Sequence, residues 1–382
     1  MKSVEEILAD LVAIPSVCRT PNGAIVDYAR SYLAEHGVAA AVLPGPEGDR
    51  ANLFATIGPA DVPGTILSAH LDVVPAAPEG WTGHPFALRR DGDRLFGRGA
   101  VDMKGFVACV LASVPTLVAA RLTRPVHIAL SYDEEVGCVG VRHLIDRLPQ
   151  LCAPPSGCIV GEPTGLRPVL RHKGKIAQRV RVRGRAGHSS RPDLADNAIH
   201  LAAELMLAVR DEARRIEAEG PFDDRFAPPV STLQVGVVSG GTGVNIVPAD
   251  CVFDLEARAI PGTDPAALWQ PVARFAADRI AALRAEGRSV AIDSETLALY
   301  PALDLADDHP LAALAEAISG QPRQAAVSFG TEAGLYQQAG VPSIVCGPGD
   351  IDRAHRPDEF ITRAELASGV AMVGRLVSHL SL

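Results

Sequence analysis

The chain has 382 residues and a net charge of −9, from 45 acidic against 36 basic side chains. That length exceeds the usual reach of one hydrophobic core, so a large domain with a smaller companion is expected. No dense basic block interleaved with aromatics is present, which argues against nucleic acid as a partner. The seven cysteines (Cys18, Cys109, Cys138, Cys152, Cys158, Cys251 and Cys346) form no CxxC pair or compact framework. They read as reduced thiols of a cytoplasmic protein.

Near the N-terminus, Val4, Ile7, Leu8, Leu11 and Val12 recur at helical spacing, with Glu5, Glu6 and Asp10 on the other side. The pattern predicts an ordinary first helix and not the basic start and apolar core of a secretory signal. The longest apolar stretch, GFVACVLASVPTLVAA, contains Pro115 and is shorter than the ~20 residues that a membrane span needs. No membrane partner is expected.

Between residues 50 and 165, short apolar runs (NLFATIG, TILSAHLDVV, HIALSYDEE, CIVGEP) alternate with helical segments. This is the rhythm of an α/β domain with a mostly parallel sheet, in which ligands gather at the carboxyl ends of strands. From about 176 the order becomes strand, helix, strand, strand, helix, strand, as in a ferredoxin-like α+β unit. The α/β character then returns in SIVCGPG and the final helix. The expected division is therefore 1–175 and 298–382 for a discontinuous catalytic domain, with 176–297 as an insertion.

His70 and Asp72 in SAHLDVVP project from one face of an extended strand, so that Asp72 is placed to orient the imidazole; alone, such a pair is more often a surface or capping pair. Asp102 in GRGAVDMKG also reads as a cap for a helix starting near Lys104, Glu162 in GEPT as a loop acid, and His355 in AHRPDEF as a surface histidine. SYDEEVGC adds Asp133, Glu134 and Glu135 after an apolar run, where repulsion and desolvation both oppose burial. Together the motifs supply two histidines and three carboxylates, a ligand set for paired zinc, cobalt or manganese.

Taken as a set, HxD, GxxDxKG, EE, GEPT and AHxPDE resemble metallopeptidase family M20, and RHKGKI, FGTEA and GPGDIDRAHRPDEF resemble its acetylornithine deacetylase branch. The resemblance covers nearly the whole chain. It implies a dimetal catalytic domain with an inserted lid and dimerisation domain, hence a homodimer. Asp102 would bridge two metals, His70 and Glu162 completing one site and Glu135 and His355 the other. Glu134 would be the general base that activates a metal-bridging water, and Asp72 the residue that orients His70. Such ions, roughly 3.5–4 Å apart, polarise a scissile carbonyl and acidify water.

The resemblance also gives His188, in RAGHSSRP, the role of stabilising an oxyanion; without it, Ser189 or Ser190 caps a helix beginning near Pro192 and His188 is merely exposed. Asn245 and Arg258 would hold a substrate carboxylate, although Arg258 also reads as an exposed strand arginine. Thr331 or Glu332 would lie near the substrate, Glu332 facing an ammonium group, against a plain reading of Glu332 as a helix cap. GGTGVNIVPAD lacks the Gly-Lys-Ser/Thr ending of a phosphate loop, so a nucleotide site is not expected.

The implied substrate is a small N-acyl amino acid, N-acetyl-L-ornithine in arginine biosynthesis; N-succinyl-diaminopimelate or a broader aminoacylase range is the alternative. A catalytically silent metal-binding scaffold would be marked by a missing ligand or base. Glu134 and all five ligand positions are present.

Overall fold

A computed structural model describes residues 2–381. The chain forms two compact units, Met1–Arg171 with Leu303–Ala326 and Thr331–Leu382, and His172–Ala302 with Val327–Gly330. The second unit begins before residue 176 and ends after 297: its first strand, Gly174–Arg183, starts earlier and its last, Ala291–Tyr300, ends later than the alternating segments that mark them in the sequence.

The first unit is built on a six-stranded sheet. Its order is Ala40–Pro44, Ala51–Ile57, Val126–Ser131, Thr65–His70, Gly157–Pro163 and Ser343–Gly347. The first two pairings are antiparallel and the other three parallel. The parallel strands are buried along their whole length, which is why TILSAH and HIAL read as continuous apolar runs and not as alternating ones.

Helix Lys104–Ala119 is buried almost all round through Phe106, Val107, Val110, Leu111, Val114 and Leu117, and packs against Val4–Ala13 and Arg363–Leu380. Capping boxes start both of those partners, Ser3 with Glu6 and Thr362 with Glu365. No helix among the described residues is long and apolar enough to cross a membrane.

The second unit carries a four-stranded antiparallel sheet ordered Thr232–Gly240, Asp250–Ala259, Gly174–Arg183 and Ala291–Tyr300. In chain order that is the ferredoxin-like arrangement. Strand Gly174–Arg183 alternates strictly: Ile176, Val180 and Val182 enter a core shared with helix Ala198–Glu219, while Arg179, Arg181 and Arg183 take the other face. The helix expected near Pro192 is only a 3₁₀ turn, Pro192–Leu194. The long helix starts at Ala198, where the Asn197 side chain accepts the backbone N–H of His200.

Candidate metal centre

The ligand candidates gather at the carboxyl ends of the parallel strands. His70 ends Thr65–His70, Glu134 and Glu135 lie just past Val126–Ser131, and Glu162 is the penultimate residue of Gly157–Pro163. Asp102 and His355 come from loops. Asp102 does not cap the following helix, whose N-cap is Met103 with no side-chain cap bond.

Asp102 divides its two oxygens. Oδ1 lies 3.0 Å from His70 Nε2, and Oδ2 lies 3.1 Å from His355 Nε2. His70 Nε2 is also 3.5 Å from Glu162 Oε1, and His355 Nε2 is 3.0 Å from Glu135 Oε2. Two donor groups result, His70 with Asp102 and Glu162, and Asp102 with Glu135 and His355, each with its ligand atoms within 4.8 Å of one another. Asp102 belongs to both.

The electrostatics of the cluster follow from burial and from the closeness of its acids. Burial, reinforced by Asp102, holds the Glu162 carboxyl well above its ordinary range, and burial likewise raises Glu135. Hydrogen bonds donated to the Asp102 and Glu135 carboxylates push His355 up to about 10. Burial opposes charge on His70, but its hydrogen bond to Asp102 and the nearby Asp72 and Glu162 carboxylates outweigh that and raise it well above normal. Buried acids this close together favour a compensating positive charge. A hard-to-borderline set of imidazole and carboxylate donors with that demand suits a pair of divalent cations.

Asp72 is placed differently from the simplest reading. His70 Nδ1 is 2.9 Å from the backbone carbonyl of Asp72 and 3.6 Å from its carboxylate. The carboxylate instead accepts the backbone N–H groups of Glu134 at 3.0 Å and Glu135 at 3.2 Å. One acid therefore braces both the His70 strand end and the turn that carries the two glutamates.

Asp133, which has no ligand role, ties that turn to the rest of the unit by accepting from Arg19 N–H at 2.6 Å and pairing with Arg50. Glu134 is raised by burial and by its acidic neighbours, and receives the Cys138 thiol at 3.5 Å.

Thr331 and Glu332 are fully buried, at 0% and 1% exposure. Glu332 makes no cap bond; it accepts from Ser131 Oγ at 2.5 Å and more weakly from Ser68 at 3.4 Å. Glu332 is as buried as His70, and its hydroxyl partners come from the strand ends that border the donor groups. In the second unit, His188 and Asn245 are exposed neighbours: His188 pairs with Ile246 across two short strands, and Ser189 N–H donates to the Asn245 carbonyl at 3.1 Å. Ser190 caps no helix, but bonds His188 Nδ1 through its hydroxyl at 2.8 Å. Arg258 is partly buried against Glu256 and the Tyr300 hydroxyl.

Residues 66–379 match the model of peptidase family M20/M25/M40. The chain belongs to that family. An acetylornithine deacetylase of Yersinia pseudotuberculosis is 33% identical over 385 residues, spanning 98% of this chain and 96% of that protein.

Among solved structures, an M20 family metallo-carboxypeptidase from Sulfolobus solfataricus superposes with a TM-score of 0.79 at 18% identity, covering 99% of each chain. A dinuclear metal-binding M20 peptidase of Bacillus subtilis, the YXEP protein, gives 0.66 at 16% identity over 99% of this chain and 97% of that one. These structures share the family fold. As a family member the chain is a hydrolase of amide bonds.

The sequence motifs contain every member of the two donor groups. AHxPDE and GRGAVDMKG include Glu359 and Arg98 without giving either a role, and Arg50 lies in none of the motifs; the partners of all three lie far away in the chain.

Proposed function

We propose that the protein is a two-metal amidohydrolase that deacylates N-acetyl-L-ornithine to ornithine and acetate. The observation that carries the two-metal reading is the Asp102 carboxylate, which faces His70 with one oxygen and His355 with the other. His70, Asp102 and Glu162 would hold one divalent ion, and Asp102, Glu135 and His355 the second, zinc first and cobalt or manganese as substitutes. Such ions, when bound, polarise the scissile carbonyl and make water acidic enough to deprotonate near neutral pH.

Glu134, held by the Asp72 bracket on its backbone N–H, takes a proton from the attacking water and delivers it to the departing amine. His188 accepts the backbone N–H of Ser190 at Nδ1, which leaves Nε2 as the protonated, donating nitrogen of the neutral ring. That tautomer suits an oxyanion. Arg258, with its planar fork, and Asn245 would take the α-carboxylate.

The acetylornithine substrate is supported by the similarity to deacetylases of that name over nearly the full chain. A homodimer through the inserted unit is supported by its exposed edge strand, where Val237 and Val238 are both more than half exposed. A cytoplasmic role in arginine biosynthesis follows from the substrate.

The test is amine release from N-acetyl-L-ornithine, N-succinyl-diaminopimelate and N-acetylmethionine in parallel. The proposal expects the highest kcat/KM for acetylornithine. A preference for the succinylated substrate would overturn the substrate while leaving the metal centre in place.

A further inference from the structure

Glu359 is 1% exposed and stands outside both donor groups. Its two oxygens are committed to different partners. Oε1 accepts the backbone N–H groups of Val101 at 3.0 Å and Asp102 at 3.2 Å, and Oε2 accepts from Arg98 Nη1 at 2.6 Å. Arg98 is itself 4% exposed, with its guanidinium 5.3 Å from the Trp81 ring. The main chain alongside is joined as well: Gly97 N–H donates to the Glu359 carbonyl at 2.9 Å, and Phe360–Thr362 pairs with Arg94–Phe96.

Burying an ion pair costs desolvation that its attraction only partly returns, so the pair is weak evidence for stability by itself. Its location is more informative. It joins the segment that carries His355 to the loop that carries Asp102, and those two residues face each other at 3.1 Å.

We propose that Glu359, held by Arg98, is a positioning residue for the metal centre: it fixes the Asp102 backbone and so aligns the carboxylate shared by the two donor groups. The inference rests on the reading of Asp102 and His355 as ligands. Asp358 provides a contrast within the same segment. Its carboxylate accepts from the Thr82 backbone and hydroxyl and from Arg89, and anchors the segment without touching the Asp102 loop.

The test is calorimetric titration of zinc into chelator-stripped full-length protein, with circular dichroism as the check on folding. Two double variants remove the buried charge pair equally. Arg98→Met with Glu359→Gln keeps an amide oxygen for the two N–H groups, and Arg98→Met with Glu359→Leu removes it. Groups that orient metal ligands are typically worth 10–100-fold in affinity, so the Leu form should bind zinc about 10-fold or more weakly than the Gln form. The Gln form should stay within about 3-fold of the parent, and the visible spectrum of the cobalt-loaded protein should change in the Leu form alone.

Asp358→Ala should behave like the parent. Equal affinity in the two double variants, or an equal loss in Asp358→Ala, would overturn the proposal. Glu359→Asp, which withdraws the carboxylate by one methylene, is a second probe if the Leu form does not fold; parent-like zinc binding in it would also overturn the proposal. A parent that binds no zinc would remove the ligand reading itself, a result distinct from unequal binding among variants.

Discussion

Glu134 and Glu135 are adjacent, yet their surroundings assign them different chemistry. Glu135 faces His355 at 3.0 Å within a donor group, whereas Glu134 lies outside both groups and has the Cys138 thiol beside it. The Asp72 carboxylate fixes both backbones, so the two side chains diverge from one rigid turn. Glu134→Gln keeps the shape and loses the basicity. It should lower kcat by about 10²–10⁴-fold with little change in KM, and zinc content should stay at the parent value when measured by atomic absorption. Glu135→Gln should instead reduce the zinc content. If Glu134→Gln also lost zinc, the division of labour would be wrong.

At the level of elements, tight packing sets where the strands present the candidate ligands. Gly161 precedes Glu162, and a Cβ built there would lie 2.0 Å from the Phe106 ring of the helix that follows Asp102. Gly161→Ala must therefore push apart the strand carrying Glu162 and the helix. Overpacking of this kind costs about 1–3 kcal/mol, so the urea midpoint should fall, and zinc affinity with it. An unchanged midpoint would show that the strand and helix yield easily.

The residues that gather in the two donor groups were legible in the sequence because imidazoles and carboxylates after apolar runs are costly unless something neutralises them. The elements that carry them were legible because buried parallel strands and one-sided helices have different periods. What binds the ligand loops together was not legible. Glu359 meets Arg98 across 261 positions and Asp133 meets Arg50 across 83, and nothing in the local spacing signals either pairing. The same holds for Glu332: its hydroxyl partners Ser131 and Ser68 lie 201 and 264 positions away, and no local spacing announces them.

For the whole molecule, pH and metal should both govern stability. His127 is completely buried in the central sheet, and that burial lowers it to about 4 from an ordinary 6.5. Between those values the unfolded chain binds a proton that the folded chain refuses, so stability falls as pH drops through the window and levels off below it. The shift corresponds to about 3 kcal/mol. His127→Asn should flatten the pH dependence of the urea midpoint between about 6.5 and about 4 relative to the parent. An identical slope in both proteins would exclude His127 as a source.

Bound cations act through mass action, with about 4 kcal/mol of stabilisation expected at a thousandfold excess over Kd. Chelation should therefore lower the thermal midpoint, and zinc should restore it.

The most direct measurement adds zinc stepwise to stripped protein and follows amine release from N-acetyl-L-ornithine at each step. Because Asp102 serves both donor groups, turnover should be absent without metal and should reach its plateau at two ions per chain. Full turnover in the stripped protein, or a plateau at a single ion, would contradict the two-metal account.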